Sequence, residues 1–288
     1  MRRLLAWGLA ALALALATPA LAQPPVWIIR DKDSEIVLFG SVHVLPQGLD
    51  WRPPALTSAL ARADDLWFEI PISPISSLEG ERLMEAKGGY PPGESLYDHL
   101  TPDQAARLKR VADKLSISEA ALAHMRPWYA EVMLSVIQDA RAGASATDGV
   151  EQQIQAAAPP TVRRRAFESV EEQVRFLSGA PPGAQVASLD QTLTEIEQKP
   201  DAFRTVVDHW MAADLAGLKA DALDPLQAAS PELYRRLITE RNARWAKVIR
   251  RRLRGHGVTV IVVGMGHLIG PGGLPALLRA RGLAVEGP

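Results

Sequence analysis

No cysteine occurs among the 288 residues. Disulfides, thiol catalysis and thiolate metal sites, Cys-based zinc included, are therefore excluded, and the fold rests on its core alone. Aromatic residues are few, at 6%, and the formal net charge is only −1. With no overall basic field, nucleic acid is not an expected partner. Two arginine clusters, Arg163–Arg165 and Arg250–Arg252 with Arg254, are local exceptions and read as solvated faces of their elements. No repeat of fixed period is present.

Long apolar runs are absent except at the start. Arg2 and Arg3 form a charged region, Leu4–Ala17 an apolar one, and Ala20-Leu21-Ala22 a small-x-small cleavage site. The apolar run falls short of the roughly 20 residues needed to span a bilayer. Residues 1–22 are thus expected to be a cleaved signal peptide, with Gln23 the first mature residue. No cysteine follows to carry a lipid. The expectation is a periplasmic or secreted protein with no stable membrane anchor after cleavage. Residues 23–288 suffice for one domain.

Val26–Arg30 and Glu35–Gly40 flank the turn-forming Asp31-Lys32-Asp33-Ser34 and predict a β-hairpin. Pro54–Ala63 reads as a short helix and Asp65–Ile70 as a buried strand, making a βαβ unit. From about residue 96 to 254 the pattern is mainly helical. Predicted helices cover Pro102–Leu115, Ser118–Arg141, Gly149–Ala158, Glu171–Ser178, Gly183–Gln198, Asp201–Leu218 and Pro231–Leu253, with Val162–Phe167 a possible strand. Val258–Val263 is an apolar, β-branched run typical of a central parallel strand. Gly272–Arg281 reads as a last helix stopped by Gly282, and Leu283–Glu286 as a final strand. The expected class is α/β: a mixed central sheet built from both ends of the chain, with a large helical insert between them.

Two glycine-histidine motifs follow strands at opposite ends of the chain, Gly40-Ser41-Val42-His43 and Gly264-Met265-Gly266-His267. Reacting groups of α/β sheets sit just past the carboxyl ends of strands. Glu69 ends another predicted strand. If the three strands lie side by side, His43, His267 and Glu69 share one rim. Two imidazoles and a carboxylate suit a divalent ion with open positions for water, which the ion acidifies towards attack on an ester or amide. His99, His124, His209 and His256 have no such setting and read as structural or surface residues. Gly40-Ser41-Val42-His43 is not a G-x-S-x-G elbow, which disfavours Ser41 as a nucleophile. The run around Gly264, Gly266 and Gly270, with Glu286 further on, imitates a dinucleotide fingerprint. Its third glycine falls one position late, Pro271 lengthens the loop, and too little chain follows for the rest of such a domain.

At these residues the chain resembles the TraB/GumN family, relatives of the Tiki proteases and more distantly of erythromycin-esterase and ChaN-like proteins. The resemblance is carried by Leu38-Phe39-Gly40-Ser41-Val42-His43-Val44-Leu45-Pro46, Ala63-Asp64-Asp65-Leu66-Trp67-Phe68-Glu69, Arg126-Pro127-Trp128, Asp148-Gly149-Val150-Glu151, Glu168-Ser169-Val170-Glu171-Glu172-Gln173, Arg241-Asn242-Ala243-Arg244-Trp245 and Val263-Gly264-Met265-Gly266-His267-Leu268-Ile269-Gly270. It implies a metal-dependent hydrolase or protease-like fold and adds Glu151, Glu168 and Arg241 to the site candidates. Arg241 could meet a substrate carboxylate, hold an oxyanion, or pair internally with one of the glutamates. Many relatives carry an aspartate two residues after Glu69, where this chain has Pro71, so one acidic ligand of a two-metal site is missing.

The expectation is an exported hydrolase acting on a peptide or ester. His43, His267 and Glu69 would bind Mn, Co, Zn or Fe, with Glu69 as third ligand or general base and Glu151, Glu168 and Arg241 around them. One alternative is a metal-independent hydrolase, in which a histidine activates water and a glutamate orients it. Another is a non-catalytic binding or accessory protein for polysaccharide or pheromone handling.

Overall fold

The computed structural model describes residues 23–288. The leader read at Arg2–Ala22 lies outside them. In chain order the elements begin with β1 (Val26–Arg30), β2 (Ser34–Ser41), β3 (Leu45–Pro46), α1 (Pro54–Ala61), β4 (Asp65–Phe68) and α2 (Pro74–Gly88). A mainly helical stretch follows: α3 (Pro102–Leu115), α4 (Glu119–Ala123), α5 (Pro127–Arg141), β5 (Ala144–Ser145), α6 (Val150–Ala157), β6 (Arg163–Ala166), α7 (Val170–Ser178), α8 (Pro182–Gln198), α9 (Ala202–Met211) and α10 (Leu215–Leu218). The chain closes with α11 (Asp224–Ala229), α12 (Pro231–Tyr234), α13 (Glu240–Leu253), β7 (Gly257–Gly264), α14 (Leu274–Arg279) and β8 (Val285–Glu286).

Six strands form the main sheet in the order β6-β4-β7-β2-β1-β8. The sheet is mixed α/β, as expected. β2 and β7 are central and parallel, in register from Ser34 opposite Gly257 to Ser41 opposite Gly264. Their interior residues, Ile36–Phe39 and Val260–Val263, are fully buried, which is why both read as continuous apolar runs rather than alternating ones. β4 is parallel to β7 on its other side. The βαβ unit predicted from β2, α1 and β4 therefore has a gap in its middle, and a strand from the far end of the chain fills it.

The hairpin of β1 and β2 is closed by Asp31, whose Oδ1 accepts the backbone N–H groups of Asp33 and Ser34. The sheet core includes Phe39 stacked on Trp51 at 5.4 Å, with Trp210 against both rings. Trp210 Nε1 donates to the Gly40 carbonyl at 2.9 Å, which ties α9 to the exit of β2. A second apolar cluster, including Leu108, Leu134 and Leu189, holds α3, α4, α5 and α8 together.

Several helices differ from the sequence reading. Ser118–Arg141 is two helices, because Pro127 starts α5 and Arg126 before it is extended (ψ 155°). Asp201–Leu218 breaks at Ala213, whose φ is +53°. Pro231–Leu253 runs through a π turn at Arg235–Thr239. Within the mainly helical region between the two ends, the strand read at Val162–Phe167 is present as β6 (Arg163–Ala166) and joins the main sheet beside β4, while helical structure already begins with α2. α2 has no apolar face to announce it. Its start is set locally by Pro74 and by reciprocal bonds between Ser73 and Ser76. Among the described residues no helix is long and apolar enough to cross a membrane.

Candidate active site

β2, β7 and β4 lie side by side with their carboxyl ends on one rim, and the expected side chains gather there. His43 follows β2, Glu69 is the first residue after β4, and His267 ends a short 3-10 turn after β7. Their meeting point is Gly264. A methyl group built on it would stand 3.1 Å from Glu69 Oε1, 3.7 Å from His43 Nε2 and 3.8 Å from His267 Cδ2. A glycine here leaves open the volume that all three side chains face.

His43 leans on α6. Its Nδ1 lies 2.6 Å from Glu151 Oε1, which also accepts the Ser41 hydroxyl at 2.6 Å. The backbone brings these groups together: Val150 N–H donates to the Val42 carbonyl, and Gly149 packs so closely on the His43 carbonyl that any Cβ would overlap it. The Glu151 carboxylate, by its charge and its hydrogen bond, pushes the imidazole pKa up to about 9. Burial in turn works to raise Glu151, but His43 and the Ser41 hydroxyl outweigh it and lower the carboxyl. The His43 side chain is 70% exposed, so its Nε2 edge is accessible. Ser41, buried and bound to Glu151, is not presented as a nucleophile.

His267 is the opposite kind of histidine. It is 4% exposed, packed on Trp245 at 4.5 Å. Asn242 Nδ2 donates to the carbonyls of His267 and Gly272, which leaves Asn242 Oδ1 as the acceptor for His267 Nδ1–H at 2.7 Å. The tautomer is thereby set with the lone pair on Nε2. Burial, with Arg241 and His43 nearby, drives this imidazole down to about 3, so it is neutral near pH 7.

Arg241 is the hub. Nη2 reaches Glu69 Oε2 at 2.5 Å, Nε bonds both Glu168 oxygens, and Nη1 donates to His267 Nε2 at 3.0 Å and to the Leu237 carbonyl at 3.1 Å. That last acceptor belongs to the π turn that leads into α13. Glu168 is saturated by Arg241, Arg244 and Trp245 Nε1. Burial favours a protonated Glu69, yet Arg241, His43 and the Gly264 N–H hold its carboxyl below the usual carboxylate range. Since His267 is neutral, the guanidinium at 2.5 Å is the close cation that keeps Glu69 ionised.

All six candidates thus belong to one constellation, in two groups. His43 and Glu151 border an open cleft with Glu69, Phe68, Ile70, Ile72, Gln152 and Gln173, about 280 Å³ in volume. Glu168, Arg241 and His267 form a buried frame behind Glu69. Arg241 takes the internal ion-pair role among those open to it. Sequence reasoning missed three contributors: Ser41 as a support for Glu151, Asn242 as the group that sets the His267 tautomer, and Gln173, whose amide reaches Glu69 Oε2 at 3.3 Å. Ser41 had a usable signal, since it precedes His43 by two. Asn242 had none.

A divalent ion held by His43, His267 and Glu69 needs a lone pair from each. The single in-plane lone pair of His267 Nε2 accepts Arg241 Nη1, and a permanent cation stands beside Glu69. Among the described residues no three His, Asp or Glu side chains are placed to hold one ion. As arranged, these residues do not fit a three-ligand metal site.

The sequence pattern of the TraB/PrgY/gumN family matches residues 25–287. A protein described as "Uncharacterized protein YbaP" from Escherichia coli (strain K12) is 26% identical over 264 residues, covering 89% of this chain and 92% of the relative. Its namesake from Shigella flexneri is 26% identical over 250 residues, covering 84% and 87%. No solved structure matches significantly.

Proposed function

The chain belongs to the TraB/PrgY/gumN family, and on that footing we propose that the rim cleft is a hydrolase site for an exported protein, acting on a peptide or ester. One observation carries this reading: the exposed His43 ring is anchored through Nδ1 to Glu151 at 2.6 Å, over a cleft it shares with Glu69. An imidazole held by a carboxylate at one nitrogen offers the other as a general base.

In this mechanism His43 Nε2 takes a proton from a water in the cleft as its oxygen attacks the substrate carbonyl carbon. Glu151 steadies the imidazolium that forms, and His43 returns the proton to the leaving oxygen or nitrogen. Glu69 Oε1 accepts a hydrogen bond from the water's other O–H, which stays on the attacking oxygen, and so aims the lone pair. The amides of Gln152 and Gln173, both lining the cleft, are neutral donors for the developing oxyanion. Arg241, with its donors spent on Glu69, Glu168, His267 and Leu237, is a positioning residue.

The test is turnover of an ester panel and a peptide library by the full protein, before and after exhaustive chelation. His43→Ala is expected to lower kcat by roughly 10²–10⁴ with the circular-dichroism melt retained, and chelation to leave the wild-type rate intact. Turnover that needs added Mn, Co, Zn or Fe would overturn the metal-free chemistry and make His43, His267 and Glu69 ligands after a shift of Arg241. No turnover under any condition would leave a binding or accessory role.

A further inference from the structure

The two arginine clusters that read as separate solvated faces meet in space. Arg163 and Arg165 project from β6, and Arg251 and Arg252 from the last turn of α13, into one groove of about 420 Å³ that Asp65, Trp67, Val248, Gly255 and His256 complete. It lies at the amino ends of β4 and β6, the opposite end of the sheet from the His43 cleft.

Its charge does not balance. Asp65 is 2% exposed and is the only carboxylate among the described residues that line the groove. Arg163 grips it with Nε and Nη2 at 2.9 and 3.0 Å, Arg165 with Nε at 2.7 Å, and Arg252 with Nε at 3.2 Å. One negative charge thus serves three guanidinium groups, and the pairing leaves both terminal nitrogens of Arg165 unspent. Arg251 is exposed and has no ion-pair partner among the described residues. A basic last turn suits the helix dipole of α13, but that accounts for neither the β6 arginines nor their convergence. Trp67 lines the groove beside Arg165, whose guanidinium carbon lies 5.8 Å from the centre of the indole ring.

We infer that this groove binds a phosphate-class oxyanion, gripped between Arg165 and Arg251 with Asp65 holding the arginine forks in place. Planar guanidinium forks match phosphate oxygens two at a time, and Asp65 prevents the mutual repulsion of Arg163, Arg165 and Arg252 from splaying them. Val248 and Trp67 supply an apolar floor for whatever bears the phosphate. The same chemistry is offered by a soluble phosphorylated molecule and by an anionic lipid headgroup.

The experiment titrates the full chain calorimetrically with pyrophosphate at low salt, beside co-sedimentation with phosphatidylglycerol and phosphatidylcholine vesicles. Saturable one-to-one pyrophosphate binding is expected. Arg251→Gln and Arg165→Gln should each weaken it about tenfold or more, and Arg254→Gln, outside the groove, should not. Binding to phosphatidylglycerol vesicles that falls with the same two variants identifies a lipid source, and pyrophosphate binding without vesicle binding a soluble one. Failure to bind either, or binding that both variants leave unchanged, overturns the site. Arg251 is exposed and unpaired, so loss of folding cannot explain its effect.

Discussion

Arg241 Nη2 meets Glu69 Oε2 at 2.5 Å across 172 residues of sequence. The contact joins α13 to the exit of β4, and with Glu168 on the same guanidinium it makes one buried cation serve two buried carboxylates. Three consequences of the site's electrostatics and packing, and one elsewhere in the fold, can be measured.

Arg241→Ala leaves Glu69 charged inside the protein without its close cation, and leaves Glu168 with Arg244 as its one remaining guanidinium partner among the described residues. Removing one partner of a buried ion pair costs about 3–5 kcal/mol, so urea melts should show a loss of that size. Lysine should restore only part, since a single ammonium cannot span Glu69, Glu168 and His267 as the planar fork does. A melt unchanged in the alanine variant would mean that the network does not hold the rim together.

Glu151→Gln removes the charge that raises His43. With wild type, kcat/KM is expected to climb with pH and level off near 9, because the proton that Glu151 stabilises must leave before Nε2 can act as a base. In the variant the climb should shift towards the ordinary imidazole value of about 6.5 and the plateau should fall. Titration of the His43 ring by nuclear magnetic resonance should move in parallel. A wild-type rate that is flat between pH 6 and 9 would contradict the role of His43.

Gly264→Ala separates folding from turnover. Gly264 has φ −49° and ψ 136°, which any residue adopts, so the backbone tolerates a side chain. The added methyl would occupy the space between Glu69 Oε1 and His43 Nε2 at 3.1 and 3.7 Å. The variant should melt within about 1–3 kcal/mol of wild type yet lose most of its activity. Full activity would place the reaction volume elsewhere.

Glu131, in α5, lies far from this chemistry. Its Oε1 accepts the Ser188 hydroxyl at 2.8 Å while Oε2 is buried without a partner, and burial pushes the carboxyl up to about 7. A folded value above the unfolded one means stability is fully present below about pH 4.5 and is lost as pH rises through 7. Glu131→Gln should therefore be more stable than wild type at pH 8, by on the order of 2 kcal/mol, and should show little gain at pH 4. Parallel melts of both proteins across that range would reveal an equal pH slope if the inference is wrong.

The sheet was the most legible part of the fold, because β2 and β7 are buried on both faces and their apolar runs carry that information locally. α2 was illegible for the converse reason: Ile75 and Leu78 face solvent, at 79% and 55% exposure, so no apolar stripe marks it. At the site, His43, Glu69 and His267 were readable as strand-end residues following a glycine or a buried run. The opposite characters of the two histidines were not readable. Both follow a G-x-x-H motif, yet one is exposed and paired with a carboxylate while the other is buried and neutral.

By itself, the order of residues determined the strands of the main sheet, and that a histidine or glutamate stands at or just past the ends of three of them; these are short-range properties of periodicity, glycine placement and burial. Tertiary structure alone decided that β7 enters between β2 and β4, that Glu151 takes His43 and Arg241 takes Glu69 and Glu168, and that two arginine clusters share a groove. The reason is physical. An ion pair or tautomer is chosen by the distance and desolvation of groups far apart in the chain, and neither exists until the sheet has closed around them.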